Sequence, residues 1–174
     1  MRNPFRRSRS DQFENESERR VSGLRRRGAR IGEECLICTS HFSTEPYLIE
    51  IGNRVAIAAG TKFVTHDGLA HLLRRRDPEI QIFGRIRVGS GTFIGLDCII
   101  LPGITIGENC IIGAASVVTH DIPDDSLACG NPARIIGTAS AKLRELEASP
   151  NLLRTYRMSE AERKRVVRKH FGLA

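Results

Sequence analysis

The chain has 174 residues, 40% of them hydrophobic, five Cys, no Trp and a formal charge of +7. That length buries one sizeable core, no apolar run reaches membrane-spanning length, and sparse cysteines fit a reducing compartment better than a disulfide framework. The basic excess gathers toward the ends (Arg2, Arg6, Arg7, Arg9 and Arg25 to Arg27; Arg163 to Arg165, Arg168 and Lys169) with few aromatics to stack bases on, which argues against a nucleic-acid surface and for solvated charge or contacts to anionic metabolites.

Residues 1–28 form a charged N-terminal segment, part helical, in which Ser10 or Asp11 is placed to cap a short helix. It has no apolar stretch of the signal-peptide kind, so a cytoplasmic location is expected. Over 29–137 the pattern changes to a repeat. An aliphatic residue recurs every six places at Val88, Ile94, Ile100, Ile106, Ile112 and Val118, upstream at Ile51, Ile57 and Phe63, and more weakly from Ile31. A period of six suits neither a helix nor a long alternating strand. It suits short strands that turn a corner after six residues and stack coil upon coil, with the aliphatic residue inward.

Gly at the next place (Gly52, Gly89, Gly95, Gly107, Gly113) is expected to relieve crowding and to permit unusual backbone angles near the corner. Val55, Thr61, Thr92, Cys98, Ile104, Cys110 and Ser116, four places on, fill the remaining interior. The repeat breaks where Phe63 and Val88 stand twenty-five residues apart. An inserted loop of about 68–85 accounts for the break, and loops on rigid scaffolds are where binding residues concentrate. Residues 138–174 are expected to be a helical extension covering the end of the coils, with helices over Leu143–Ala148 and Ser159–His170, the second opened by a capping box of Ser159 and Glu162.

The tetrapeptide Val-Thr-His-Asp occurs at 64–67, where the loop begins, and again at 118–121. Fifty-four residues, the length of three regular coils, separate His66 from His120, yet Val118 holds the inward place while Val64 stands one beyond it. The two histidines therefore occupy different positions on their coils.

The run IGLDCIILPGITIGENCIIGAASVVTHDIPDDSLACGNPARIIG, with its Pro-Gly corner and Gly-Asn-Pro-Ala-Arg close, resembles the hexapeptide-repeat acyltransferases, and the likeness extends over about Ile31 to Gly137. The resemblance implies a left-handed parallel β-helix, a homotrimer with sites between neighbouring subunits, and acetyl-CoA as cosubstrate without a metal. In the family's sugar O-acetyltransferases a catalytic His in a Thr-His-Pro or Thr-His-Asp motif precedes an extended loop, and Thr65-His66-Asp67 is similar. It implies that His66 is the general base on an acceptor hydroxyl, a task for which an imidazole is suited at neutral pH. Asp67 either orients the imidazole or turns the chain into the loop.

The same likeness maps acetyl-CoA contacts onto Ala114, Thr119, His120, where relatives commonly carry Lys, and Arg134, a fixed cation for phosphate. Phe93 stands where relatives often carry an aromatic lining the site, though core packing explains it equally. His71 is an ordinary loop residue or a second acceptor contact. The Asn-rich stretch that many relatives carry one coil before the catalytic His is replaced by Glu34-Cys35-Leu36-Ile37-Cys38-Thr39-Ser40-His41-Phe42, which leaves Ser40 or His41 as substitutes. The implied activity is O-acetylation of a sugar or saccharide precursor, such as one destined for a polysaccharide.

Three other readings compete. N-acetylation of a nucleotide-linked amino sugar would use the same fold and donor. The γ-class carbonic anhydrases bind a metal with three His on this kind of helix, two of them five apart, as His66 and His71 are, with His41 upstream; the surrounding motifs of that class are missing. Cys35 and Cys38 mimic a metal or redox pair, but no second ligand pair follows and both fit coil packing.

Overall fold

The structure, a computed structural model, describes residues 9–173, with side chains from residue 12; Arg2, Arg6 and Arg7 lie outside the described residues. Its core is a prism with three walls of parallel strands. Wall A contains β1 (Arg30–Ile31), β3 (Ile49–Ile51), β6 (Ile86–Val88) and β9 (Thr105–Ile106). Wall B contains β2 (Leu36–Ile37), β4 (Ala56–Ile57), β7 (Phe93–Ile94), β10 (Ile111–Ile112) and β12 (Ser126–Gly130), with β13 (Ala133–Thr138) added antiparallel at its end. Wall C contains β5 (Lys62–Phe63), β8 (Ile99–Ile100) and β11 (Val117–Val118), extended by a bridge from Phe42 to Phe63. The chain visits A, B and C in turn on every coil.

The hexad frame predicts the interior. Ile31, Ile37, Ile51, Ile57, Phe63, Val88, Ile94, Ile100, Ile106, Ile112 and Val118 are all buried, and so are Val55, Thr61, Thr92, Cys98, Ile104, Cys110 and Ser116. The polar members are satisfied within the stack: Thr61 Oγ1 donates to Gly95 O at 2.8 Å and accepts from Cys98 N–H at 3.3 Å, which removes the cost of an unpaired buried hydroxyl. Burial raises the Cys98 and Cys110 thiols above their ordinary value, and Cys35 and Cys38 are partly buried with thiols raised by the same cause.

The glycines of the second hexad place serve close packing and not unusual angles. A Cβ on Gly95 would lie 2.6 Å from Ala114 N, and one on Gly89 2.5 Å from the carbonyl carbon of Gly107. None of the five has positive φ. The left-handed residue is instead the fourth of the hexad, as at Arg54, Gly60, Gly91, Asp97, Gly103, Asn109 and Ala115, the place a type II turn requires it.

The N-terminal helix, α1 (Arg9–Arg26), closes the first coil. Its described part starts at Arg9, so Ser10 and Asp11 stand inside the helix, and their side chains lie outside the described residues. Its buried Val21 and Leu24 join the core. Ser17 Oγ accepts from Ile37 N–H at 2.7 Å and donates to Cys35 O, while the Arg25 guanidinium donates to Ile31 O and Gly32 O. Side chains thus satisfy strand edges that would otherwise invite another strand.

At the other end, α3 (Ala139–Glu147) starts four residues earlier than the expected helix, because the Thr138 side chain accepts from Ala141 N–H and caps it. The last helix, α4 (Glu160–His170), carries the Ser159–Glu162 capping box but buries none of its residues, so it does not seal the coils. Between β5 and β6 the inserted segment folds back on itself: Asp67 N–H donates to Ile82 O, Gly84 N–H donates to Thr65 O, His66 bridges Phe83 antiparallel, and a single helical turn, α2 (Ala70–Leu73), lies within it.

Candidate active site

The corner between walls C and A carries the titratable groups. On successive coils it consists of Ser43 to Glu45, Val64 to His66, Leu101 to Gly103 and Thr119 to Asp121. Phe42 and Phe63 pair across the first two coils, with ring centroids 4.6 Å apart. Three residues beyond each lie Glu45 and His66, and their side chains meet: His66 Nδ1 is 3.0 Å from Glu45 Oε2. That oxygen also accepts from the Thr65 hydroxyl at 2.7 Å and the Ser43 hydroxyl at 3.4 Å, and the Thr44 hydroxyl donates to Oε1. Thr65 is fully buried, the Glu45 side chain is 15% exposed, and the His66 side chain is 47% exposed. A shielded carboxylate thus holds an open imidazole.

The Thr44 hydroxyl, then the Thr65 hydroxyl and His66, pull the Glu45 carboxyl from an ordinary 4.5 down to about 2. Glu45 is therefore ionised throughout the range in which an imidazole titrates. A carboxylate can only accept, so Nδ1 is the donor to it and carries a proton. Nε2 is then the nitrogen left to accept a proton from a hydroxyl. The geometry is that of the carboxylate–imidazole pair of a nucleophile-activating triad.

Asp67, the candidate orienter beside His66, does something else. Its Oδ1 accepts from Leu69 N–H at 2.8 Å, an Asx turn that steers the chain into the loop. Glu45, absent from every sequence motif, is the residue that orients the imidazole. His71 lies exposed on α2. His41 and Ser40, the substitutes for the missing Asn, line an open depression of ≈ 330 Å³ with Phe42, Ser43, Lys62 and Phe63. Ser43 joins that depression to the Glu45–His66 pair. Among the described residues, no three or more His, Cys, Asp or Glu are grouped so as to hold a metal ion.

The second tetrapeptide follows the same wall. Phe63, Ile100 and Val118 are register partners, so His66 stands three residues past its inward residue and His120 two. The phase difference expected from the hexads is present. The two corners lie two coils apart, about 10 Å at the usual strand spacing, because the inserted loop uses up the length of the third coil. His120 Nδ1 meets Thr119 Oγ1 at 2.8 Å, and no carboxylate pairs with it among the described residues.

The remaining candidates lie elsewhere in the chain. Ala114 is exposed at the corner between walls B and C, and Arg134 is exposed on β13. Phe93 projects from the outer face of wall B, 46% exposed, opposite the C–A corner. One chain therefore brings His66, Asp67, Thr119 and His120 to one corner, and sets Phe93, Ala114 and Arg134 on the far side of the prism.

Comparison with known proteins agrees with this architecture. The family model for the hexapeptide repeat of succinyl-transferase matches residues 85–120. Protein CapG of Staphylococcus aureus is 44% identical over 121 residues, 68% of this chain and 70% of that protein. A galactoside O-acetyltransferase of Escherichia coli (strain K12) is 42% identical over 93 residues, 53% of this chain but only 45% of that protein. Among solved structures, a maltose O-acetyltransferase from Clostridium difficile 630 superposes with a TM-score of 0.53 at 29% identity, over 74% of this chain and 81% of that one. With coils, corner and relatives in agreement, the chain belongs to the hexapeptide-repeat acetyltransferase family.

Proposed function

We propose that this acetyltransferase moves an acetyl group from acetyl-CoA to a hydroxyl of a sugar or saccharide precursor, with His66 as general base. The observation that carries this reading is the Glu45–His66 pair at the mouth of the inserted loop, which leaves Nε2 as the proton acceptor. The acceptor oxygen attacks the thioester carbonyl carbon while its proton passes to Nε2. Collapse of the tetrahedral intermediate breaks the carbon–sulfur bond, and the same proton moves from Nε2 to the departing thiolate. Glu45 stabilises the imidazolium that exists between these two transfers. Base catalysis of this kind is worth on the order of 10²- to 10⁴-fold.

The separation of candidates within one chain bears on assembly. His66 and His120 share the C–A corner, whereas Phe93, Ala114 and Arg134 belong to wall B and its far corner. All of them serve one acetyl-CoA only if two copies pack with wall B of one beside the C–A corner of the next. A homotrimer of left-handed β-helices repeats that contact three times. In such a site Ala114 gives clearance to the pantetheine arm, Thr119 and His120 contact it from the opposite side, and Arg134 pairs with a phosphate. The relatives named for galactoside and maltose O-acetylation support a sugar hydroxyl as the acceptor, and we place the activity in cytoplasmic saccharide or polysaccharide synthesis.

The test is a thiol-release screen of acetyl-CoA against sugars, amino sugars and nucleotide sugars. Release that requires a sugar hydroxyl supports the reading. Release with amino sugars alone would replace it with N-acetyl transfer, and no release with any of them would remove it.

A further inference from the structure

The strand that leaves the inserted loop carries a second set of side chains next to His66. From the His66–Phe83 bridge the chain passes the C–A corner at Gly84, which packs on Pro102 and Gly103, and enters β6, where Ile86 and Val88 are buried. Phe83, Arg85 and Arg87 are all exposed and alternate with the half-buried Gly84 and the buried Ile86 and Val88. Phe83 is 47% exposed, and its ring meets the His66 ring edge-on at 6.5 Å between centroids. The aromatic face beside the base is therefore Phe83, whereas Phe93 stands on the opposite wall.

The arginines crowd around one carboxylate. Glu50 Oε2 lies 2.7 Å from Arg85, 3.1 Å from Arg30 and 3.7 Å from Arg87, and Arg30, Glu50 and Arg87 are register neighbours on wall A. Three guanidiniums share one carboxylate, so two positive charges stay unneutralised; no second carboxylate pairs with them among the described residues. All four side chains are at least 40% exposed. Stability does not account for the cluster: exposed ion pairs contribute little, and three like charges gathered around one carboxylate repel one another. An anion laid across Arg85 and Arg87 would relieve that repulsion and accept charge-assisted bonds from planar, bidentate donors.

We propose that the acceptor is an anionic saccharide, whose ring lies on Phe83 and whose carboxylate or phosphate is held by Arg85 and Arg87, with Arg30 and Glu50 fixing their positions. The apolar CH face of a pyranose buries against an aromatic ring, and this places a neighbouring hydroxyl at His66. The negative group then sits further along the chain, on the guanidiniums. The inference rests on the acetyl-transfer reading above and names the substrate class of that same site.

The experiment uses the full chain with acetyl-CoA and three matched acceptors: a neutral hexose, the corresponding hexuronate and the hexose 6-phosphate. Each is measured by calorimetric binding and by thiol release, for the parent, R85Q/R87Q, R85K/R87K and Phe83→Ala, with melting curves as a check on folding. The parent is expected to prefer an anionic acceptor over the neutral one at least tenfold. R85Q/R87Q should lose that preference, and R85K/R87K should restore part of it. Phe83→Ala should weaken binding of all three about equally. Hexuronate against 6-phosphate decides which anion is meant. Equal binding of neutral and anionic acceptors by the parent overturns the inference, even where acetylation proceeds and the acetyl-transfer reading stands. Selective anion binding lost in R85Q/R87Q without any thiol release would keep this site and remove the acetyl-transfer reading.

Discussion

The two Val-Thr-His-Asp corners share a wall, a side of the prism and four identical residues, and they differ in what the previous coils place beneath them. Under His66 lies Glu45, held by Thr44 and Thr65 and shielded from solvent, so the imidazole is oriented by a carboxylate. Under His120 lies the Pro102–Gly103 corner, and its Nδ1 meets only the neighbouring Thr119 hydroxyl. The aspartates diverge as well: Asp67 turns the chain into the loop through Leu69, while Asp121 accepts from Thr105 N–H and ties its coil to the one below. In a β-helix, a residue's chemistry is set by its neighbour a coil away more than by its neighbour in sequence.

Substitutions at the first corner sharpen this contrast. Replacing Glu45 with Gln keeps an acceptor near Nδ1 but removes the charge that stabilises the imidazolium, and turnover should fall on the order of 10²-fold with the acetyl-CoA KM close to that of the parent. A turnover like the parent's would show that the pairing is structural only. The same residue predicts a pH dependence of stability. Its folded value of about 2 lies below its ordinary 4.5, so its stabilising effect is complete above about pH 4.5 and is lost as pH falls toward 2. The melting-temperature difference between parent and Glu45→Gln should therefore shrink over that window, and a difference that grows on acidification would contradict the assignment.

The smallest effect is expected at Asp67. Asn also accepts from the Leu69 N–H and favours the same turn, so Asp67→Asn should keep turnover within about threefold of the parent in the thiol-release assay. A loss approaching that of Glu45→Gln would return the orienting role to Asp67.

Much of this was legible in the chain itself. A period of six identifies the aliphatic residues buried along the regular coils, because an inward side chain on each corner-to-corner strand lets such short strands share a core; Ile49, Ile86 and Ala128, also buried, were not among them. The phase slip between Phe63 and Val88 marks the loop and distinguishes the two histidines. Glu45 stayed hidden because the frame is irregular where it stands. Extending the hexads from Ile37 makes Ser43 the next inward residue, whereas the buried residue is Phe42, five places after Ile37 and nine before Ile51. Counting from Phe42, Glu45 falls in register with His66, so a buried aromatic one place early was the available signal. The back-folded loop that brings Phe83 to His66 leaves no periodic trace at all, since its pairing is antiparallel and local. The last helix, α4, buries none of its residues against the coils, so the cover expected of it is not formed within this chain.

The central claim is that one copy of the tetrapeptide supplies the base and the other contacts the cosubstrate. Steady-state kinetics of His66→Ala and His120→Ala, with acetyl-CoA varied and acceptor saturating, test it most directly. His66→Ala should lose on the order of 10²- to 10⁴-fold in kcat with the acetyl-CoA KM nearly unchanged, while His120→Ala should raise that KM severalfold and leave kcat within about threefold of the parent. A collapse of kcat in His120→Ala at unchanged KM, with His66→Ala still turning over, would reverse the assignment of the two corners.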